Sequence, residues 1–165
     1  MPILSGDRIK LQSSAIDKAD AIRQAGALLV SSGCVMPEYV DGMLARESTM
    51  STYLGSGVAI PHGEYDNRDH VITTGVSVVQ LPDGVEWEPG EKAHLIIGIA
   101  ATSDAHMGVL ARLAGAIEDE QTLNLLIHAT DPQVILERLG ADSESEPVAD
   151  AEQPQPNTIA PDKSA

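Results

Sequence analysis

The chain has 165 residues, enough for one domain with a sizeable buried core but too few for two. Its 25 acidic and 10 basic side chains give a net charge of −15, which makes nucleic acid and anionic membrane surfaces poor partners. A single cysteine, Cys34, excludes an internal disulfide and a cysteine-based zinc site, in keeping with a reducing cytoplasm. Because the chain has neither a signal-peptide pattern nor an apolar run approaching about 20 residues, we expect a cytoplasmic protein without membrane insertion.

Composition divides the chain near Gly140. Residues 141–165 contain six acids, four prolines and one lysine, with almost no large apolar side chain. Such a segment cannot bury enough surface to offset the entropy lost on ordering. We therefore expect one folded domain over residues 1–140 and a disordered acidic tail over residues 141–165.

Two helices are predicted before the first strand. The first has Asp17 as its N-cap and ends at Gly33, and the second begins at Pro37, runs towards Glu47 and carries Arg46 at its end. Their apolar faces consist of Ile22, Gly26 and Leu29 in the first helix and Val40, Met43 and Leu44 in the second.

Three short segments rich in β-branched residues and bounded by Gly or Pro are typical of strands. They are GVAIP from Gly57, VITTGVSVVQ from Val71 and HLIIGIAA from His94. The Asp83-Gly84 pair predicts a turn between the second strand and Trp87.

Helices are predicted again after the third strand. Ser103-Asp104 is an N-cap signal for a helix whose apolar face holds Met107, Leu110, Leu113, Ala114 and Ile117. Leu123, Leu126 and Ile127 indicate another helix, and Asp131-Pro132 opens a last one that Gly140 closes. Helices on both sides of the strands favour an α/β class, bordering on α+β, with a central sheet.

The histidines are the best candidates for chemistry, since the chain lacks the sequence motifs of P-loops, zinc proteases, serine hydrolases and dinucleotide-binding folds. His62, between Pro61 and Gly63, ends a strand, where a side chain can be exposed at the rim of the sheet. The alternative interpretation of this motif, a histidine in a turn without a catalytic role, remains open. No HxH or HxxxH pair supports a zinc site, so neither a metal nor a cofactor is expected.

Two further side chains are candidates for binding an anion. His106 lies in the first turn of the helix after HLIIGIAA, on its inward face, and helix N-termini attract phosphoryl groups. Arg46 would supply a two-pronged contact to phosphate. The alternative for His106 is a buried histidine that is hydrogen-bonded to a backbone carbonyl. The alternative for Arg46 is a surface ion pair at the end of its helix.

Several motifs in order and spacing carry a family resemblance. They are PEYVDGMLARESTMSTYLGSGVAIPHG, the following EYDNRDHVITTGVSVVQLPDGVEW, and HLIIGIAATSDAHMGVLARLAGAIED. From Ile3 to Gly140 the chain resembles the enzyme IIA domains of the mannitol/fructose class, closest to the mannitol type, in the bacterial phosphoenolpyruvate-dependent sugar phosphotransferase system. The resemblance implies a single-domain fold with a mixed β-sheet flanked by helices.

The resemblance also implies a reaction and its partners. His62 matches the histidine that accepts a phosphoryl group from the phosphocarrier protein HPr and passes it to a cysteine of a IIB domain of a sugar permease. Arg46 and His106 match residues beside the phosphorylated ring. A neutral imidazole, whose ordinary pKa is near 6.5, suits such a relay because it attacks phosphorus and gives the group up again, without metal or cofactor.

We therefore expect a cytoplasmic phosphotransferase component that works through phosphohistidine in sugar transport, with mannitol as the sugar. One alternative is a regulatory module of the same fold, which controls a protein partner by its phosphorylation state. Another is an acidic binding domain without chemistry. Cys34 follows a helix-ending glycine in no phosphate-binding loop, which favours a structural role.

Overall fold

The computed structural model describes residues 4–101 and 106–140. The predicted N-cap at Ser103-Asp104 and the acidic segment 141–165 lie outside the described residues. Five helices are present in the described part: α1 (Lys18–Ser31), α2 (Glu38–Thr49), α3 (His106–Glu118), α4 (Glu120–His128) and the short α5 (Pro132–Ile135), which continues as a π-helical turn to Gly140. The strands are β1 (Ile9–Lys10), β2 (Tyr53–Gly55), β3 (Val58–Ala59), β4 (Gly75–Glu88) and β5 (Glu91–Ala100).

The five strands form one mixed sheet in the order β1-β4-β5-β3-β2. β4 and β5 are an antiparallel hairpin, β3 runs parallel to β5, β1 runs parallel to β4, and β2 closes the other edge antiparallel to β3. The central strands alternate between two apolar faces, since Val78 packs with the helices on one side and Val79 with those on the other. The α/β expectation with a mixed sheet and flanking helices is thus confirmed.

Each face of the sheet has its own aliphatic core. The α1 and α2 side includes Ile22, Leu29, Met43, Val79, Leu81 and Ile96, and the side of α3, α4 and α5 includes Val78, Leu95, Ile97, Ile99, Leu126 and Ile135. Burial of each such side chain stabilises the fold by about 1.5–3 kcal/mol. Helix starts follow the sequence signals, because the Asp17 carboxylate accepts the Asp20 N–H and the Asp131 carboxylate accepts the Gln133 N–H.

The turn predicted at Asp83-Gly84 is wrong. β4 continues through both residues, and the pairing shifts there: from Gln80 to Val85 β4 advances five positions, while β5 advances two between their partners Leu95 and Ala93. Gly84 takes a φ of 75° and packs against His94, so the pair forms a bulge. The chain reverses later, at Gly90, whose φ is 79°.

Two other strand predictions differ from the structure. β4 begins at Gly75 and not at Val71, which makes only an isolated bridge with Val35. The short strands β1 and β2 carry no run long enough to signal a strand; β1 pairs with the long strand β4, and β2 pairs with the short strand β3.

Candidate functional site

His62 lies at the carboxyl end of the parallel pair β3 and β5. Val58 and Ala59 pair with Leu95 and Ile96, and the chain then stays beside β5, with His62 bridging Ile99. The Ile99 N–H donates to the Pro61 carbonyl at 3.0 Å. Because Pro61 has no N–H to continue the ladder, the strand ends and the half-buried His62 side chain stands at the sheet rim.

A backbone carbonyl orients the His62 ring. Nδ1 lies 2.8 Å from the Ile60 carbonyl oxygen. Since a carbonyl oxygen only accepts hydrogen bonds, Nδ1 carries the proton, and the lone pair of the neutral ring is on Nε2. The backbone two residues upstream thus selects the nitrogen that can act as a nucleophile.

Tyr39 of α2 ties the chain after His62 to the end of β5. Its hydroxyl donates to the Ile99 carbonyl at 2.8 Å and accepts from the Gly63 N–H at 2.9 Å. Burial raises the pKa of the Tyr39 phenol, which keeps this donor protonated. A Cβ on Gly63 would lie 2.7 Å from the Tyr39 ring, so glycine is required for this close approach.

A 3₁₀ turn after the site, Tyr65–His70, packs against α2. The Asn67 side-chain oxygen accepts the Glu64 N–H at 2.7 Å, and a Cβ on Gly42 would lie within 2.3 Å of that oxygen. Only a glycine in α2 lets the turn come this close. The residues following His62 are thereby held between α2 and the sheet.

Arg46 is in the last turn of α2, on the same helical face as Tyr39. Seven residues separate the two, which places them two turns or about 10 Å apart along the axis. The half-buried Arg46 side chain donates from Nη1 to the Met50 carbonyl at 2.5 Å. Arg46 thus lies on the helix that contacts the loop after His62. Its guanidinium is hydrogen-bonded to the carbonyl at the C-terminal end of that helix.

His106 is the first residue of α3, the helix that follows β5. Only the backbone of His106 is described. β5 ends at Ala100, one residue beyond the His62 bridge at Ile99, so the connection to α3 leaves the sheet next to His62. Free N–H groups at such a helix start favour anions.

Sequence reasoning missed Tyr39. Its position on one helical face with Met43 and Arg46 is a usable signal, because a buried phenol hydroxyl needs a partner. The partner itself, a glycine N–H 24 residues further on, cannot be inferred from that spacing. Within the described part of the chain, no three His, Cys, Asp or Glu side chains are grouped as metal ligands would be.

Comparison with known proteins identifies the family. Residues 2–141 match the family described as phosphoenolpyruvate-dependent sugar phosphotransferase system, EIIA 2. The chain belongs to this family. It is accordingly a phosphotransferase component of that system, as the sequence resemblance implied.

Full-length relatives include both larger and similar-sized proteins. A multiphosphoryl transfer protein of Xanthomonas campestris is 47% identical over 136 residues, which are 82% of this chain but 16% of the relative. The chain thus spans about a sixth of the length of that relative. The mannitol-specific phosphotransferase enzyme IIA component of Halalkalibacterium halodurans is 40% identical over 138 residues, 84% of this chain and 94% of the relative.

A solved structure supports the fold. The IIA mannitol protein of Escherichia coli superimposes with a TM-score of 0.77 at 42% identity, over 82% of this chain and 98% of that one. Among the described residues, no helix is long and apolar enough to cross a bilayer.

Proposed function

We propose that the chain is a phosphohistidine relay that takes a phosphoryl group from phospho-HPr onto His62 and passes it to a cysteine of a IIB domain. The observation that carries the proposal is the 2.8 Å contact of His62 Nδ1 with the Ile60 carbonyl, which leaves Nε2 as the nucleophile. The mannitol-specific IIA relatives support a sugar alcohol, mannitol, as the final acceptor. Family membership supports a cytoplasmic site of action.

Each transfer exchanges one bond to phosphorus for another. Nε2 of His62 forms a P–N bond while the P–N bond of the donor histidine breaks, and the donor ring keeps the released electron pair. In the second step a cysteine thiolate forms a P–S bond while the His62 P–N bond breaks. Throughout, the proton stays on Nδ1 of His62, hydrogen-bonded to the Ile60 carbonyl, so neither transfer requires this proton to move.

Arg46 and His106 are proposed to bind the phosphoryl oxygens. Arg46 comes from the helix that also holds the His62 loop through Tyr39, and His106 begins the helix that follows the neighbouring strand β5. A guanidinium can contact two equatorial oxygens at once, and an imidazole N–H can donate to a third.

The relatives support the proposed partners. A complex of enzyme IIAMTL with phosphorylated enzyme IIBMTL from Escherichia coli contains a chain 42% identical to this one. Multiphosphoryl transfer proteins contain a region like this chain as part of a longer polypeptide. We infer that this chain exchanges phosphoryl groups with HPr on one side and with a IIB domain on the other.

Reconstitution tests the proposal. The full chain is incubated with phosphoenolpyruvate, enzyme I and HPr, then with membranes that hold mannitol IIB and IIC domains. We expect an acid-labile, base-stable phosphoryl group on His62 and formation of mannitol phosphate. Phosphorylation without any sugar phosphate would indicate the regulatory alternative, and no phosphorylation at all would overturn the relay.

A further inference from the structure

A buried carboxylate, Glu47, lies at the end of α2. The residue is 6% exposed. Glu47 accepts from the Thr52 N–H at 3.2 Å to both oxygens, from the Thr52 hydroxyl at 2.5 Å and from the Trp87 indole N–H at 2.9 Å. The Lys18 ammonium is 3.5 Å away and also lies over the Trp87 ring.

These contacts join three parts of the fold. Lys18 is the first residue of α1, Trp87 is in β4, and Thr52 precedes β2. A carboxylate in a dry site is unfavourable unless donors surround it, and here donors from all three parts do so. Glu47 therefore fixes the position of Thr52 relative to the sheet.

From Thr52 two hydrogen bonds lead to His62. The Thr52 carbonyl accepts the Ile60 N–H at 3.0 Å. The Ile60 carbonyl, on the same residue, accepts His62 Nδ1–H at 2.8 Å. A displacement of Thr52 would thus shift Ile60 and with it the oxygen that selects the His62 tautomer.

We propose that Glu47 is a positioning residue for the relay, acting through Thr52 and Ile60 to hold His62 with its proton on Nδ1. The inference rests on the proposed function for what His62 does, but its structural part, the tautomer, stands apart from any phosphoryl transfer. Glu47 touches none of the reacting atoms. Its effect is on geometry alone.

Glu47→Gln is the sharpest variant, because it keeps the size of the side chain. The amide has one acceptor oxygen and adds two donors, so it cannot satisfy the Thr52 and Trp87 donors together. Thr52→Val removes only the hydroxyl contact to Glu47, whereas Thr52→Ser keeps a hydroxyl that can make it. Gln80→Met is the matched control. Gln80 is also buried, and its amide donates to the Leu126 and Ala129 carbonyls at 2.9 Å each, on a path that does not lead to Ile60.

Three quantities are measured on the full-length variants: the free energy of unfolding in urea, the His62 tautomer by ¹⁵N ring chemical shifts, and kcat and KM for phosphorylation by phospho-HPr. In Glu47→Gln and Thr52→Val we expect a smaller Nδ1–H population and a kcat lower by roughly 10-fold or more, with KM little changed, as misplacement of a reacting group produces. Thr52→Ser should recover both. Gln80→Met should lose stability and keep the tautomer and kcat.

The inference is overturned if Glu47→Gln and Thr52→Val keep the wild-type tautomer, or if Gln80→Met lowers kcat as much at an equal loss of stability. Should Glu47→Gln fail to fold, Thr52→Val against Thr52→Ser decides the same question. If the wild type is not phosphorylated, the relay fails while the tautomer measurement still decides the role of Glu47. If the wild type is phosphorylated and the tautomer is insensitive to Glu47, the relay stands and the positioning role fails.

Discussion

The two ends of the short strand β3 are built from similar parts. Before the strand, the Gly57 N–H donates to the Tyr53 hydroxyl at 3.0 Å; after it, the Gly63 N–H donates to the Tyr39 hydroxyl at 2.9 Å. Each end also has a histidine whose Nδ1 faces backbone carbonyl oxygen. A glycine, a tyrosine and an oriented imidazole therefore occur twice, one strand length apart.

The two histidines differ in what surrounds the ring. His94 Nδ1 lies 3.2 Å from both the Leu81 and Pro82 carbonyls, and a Cβ on Gly57 or Gly84 would lie 3.3 or 2.8 Å from the ring. His94 is thus packed between the turn at Gly57 and the bulge of β4 and joins them. His62 follows the last ladder position of its strand, at the edge from which the connection to α3 departs. An oriented ring is not enough for a relay; its place at the carboxyl end of the parallel strands provides access for a partner.

Replacing the two histidines separately gives the largest expected difference. His62→Ala should abolish phosphorylation by phospho-HPr and change the free energy of unfolding little, since the ring is at the rim. His94→Ala should retain phosphorylation and lose about 1–3 kcal/mol of stability, because a packed ring is removed. Phosphate incorporation and urea unfolding of both variants measure this. Phosphorylation of His62→Ala at the wild-type level would refute the assignment of the phosphorylated residue.

The next contrast concerns Arg46 and His106, the two residues proposed to bind the phosphoryl oxygens. Arg46→Lys keeps the charge but loses the two-pronged geometry, and His106→Ala removes a donor, so each should slow transfer from phospho-His62 to a IIB domain by about 10²-fold. Single-turnover transfer rates test this.

Matched controls come from the same residue types elsewhere. Arg23→Lys on the exposed side of α1 and His128→Ala at the exposed end of α4 should transfer at the wild-type rate. If Arg46→Lys and His106→Ala are as fast as these controls, neither residue binds the phosphoryl group in transfer.

Local signals in the sequence were sufficient for most helices. Asp17 caps α1 and Asp131 caps α5 as predicted, because a cap depends on residues two or three positions away. The Asp83-Gly84 pair misled for the converse reason. A glycine with positive φ suits a turn and a bulge equally, and packing against His94, ten residues further on, selects the bulge.

The same distinction applies to the site. His62 stands out from Pro61 and Gly63 beside it. The sequence also made Arg46 and His106 candidates for binding an anion, and the family resemblance implied that both lie beside the phosphorylated ring. The groups that hold His62 in place were not predictable from pattern alone: Tyr39 reaches Gly63 and Ile99, and Glu47 reaches Trp87, across 24 to 60 residues of chain. Such contacts depend on how the helices pack on the sheet, which periodicity does not specify.

The two tyrosines provide a smaller, matched test. Tyr39→Phe leaves the Gly63 N–H and the Ile99 carbonyl without the hydroxyl in a buried site, so we expect a loss of about 1–3 kcal/mol and a several-fold slower phosphorylation of His62. Tyr53→Phe removes a similar contact to Gly57 in a more exposed place and should cost less, with no effect on phosphorylation. Urea unfolding and initial phosphorylation rates measure both. Equal effects of the two variants on the rate would mean that neither end of β3 is specialised.

The smallest expected effect is the alkaline part of the stability profile. Burial raises the pKa of both tyrosines in the folded state, and Tyr39 is the more buried of the two. A raised folded pKa means that the contribution to stability is complete below the unfolded pKa of about 10 and is lost as the pH rises from there through the folded pKa, because the unfolded chain releases its proton first. Between about pH 9 and about pH 11, one unit on either side of the unfolded pKa, the free energy of unfolding should therefore fall less in Tyr39→Phe than in the wild type. Tyr53→Phe should stay closer to the wild-type profile. If the free energy of unfolding depends less on pH in Tyr53→Phe than in Tyr39→Phe, the Tyr53 end of β3 is the more buried one, and the comparison is reversed.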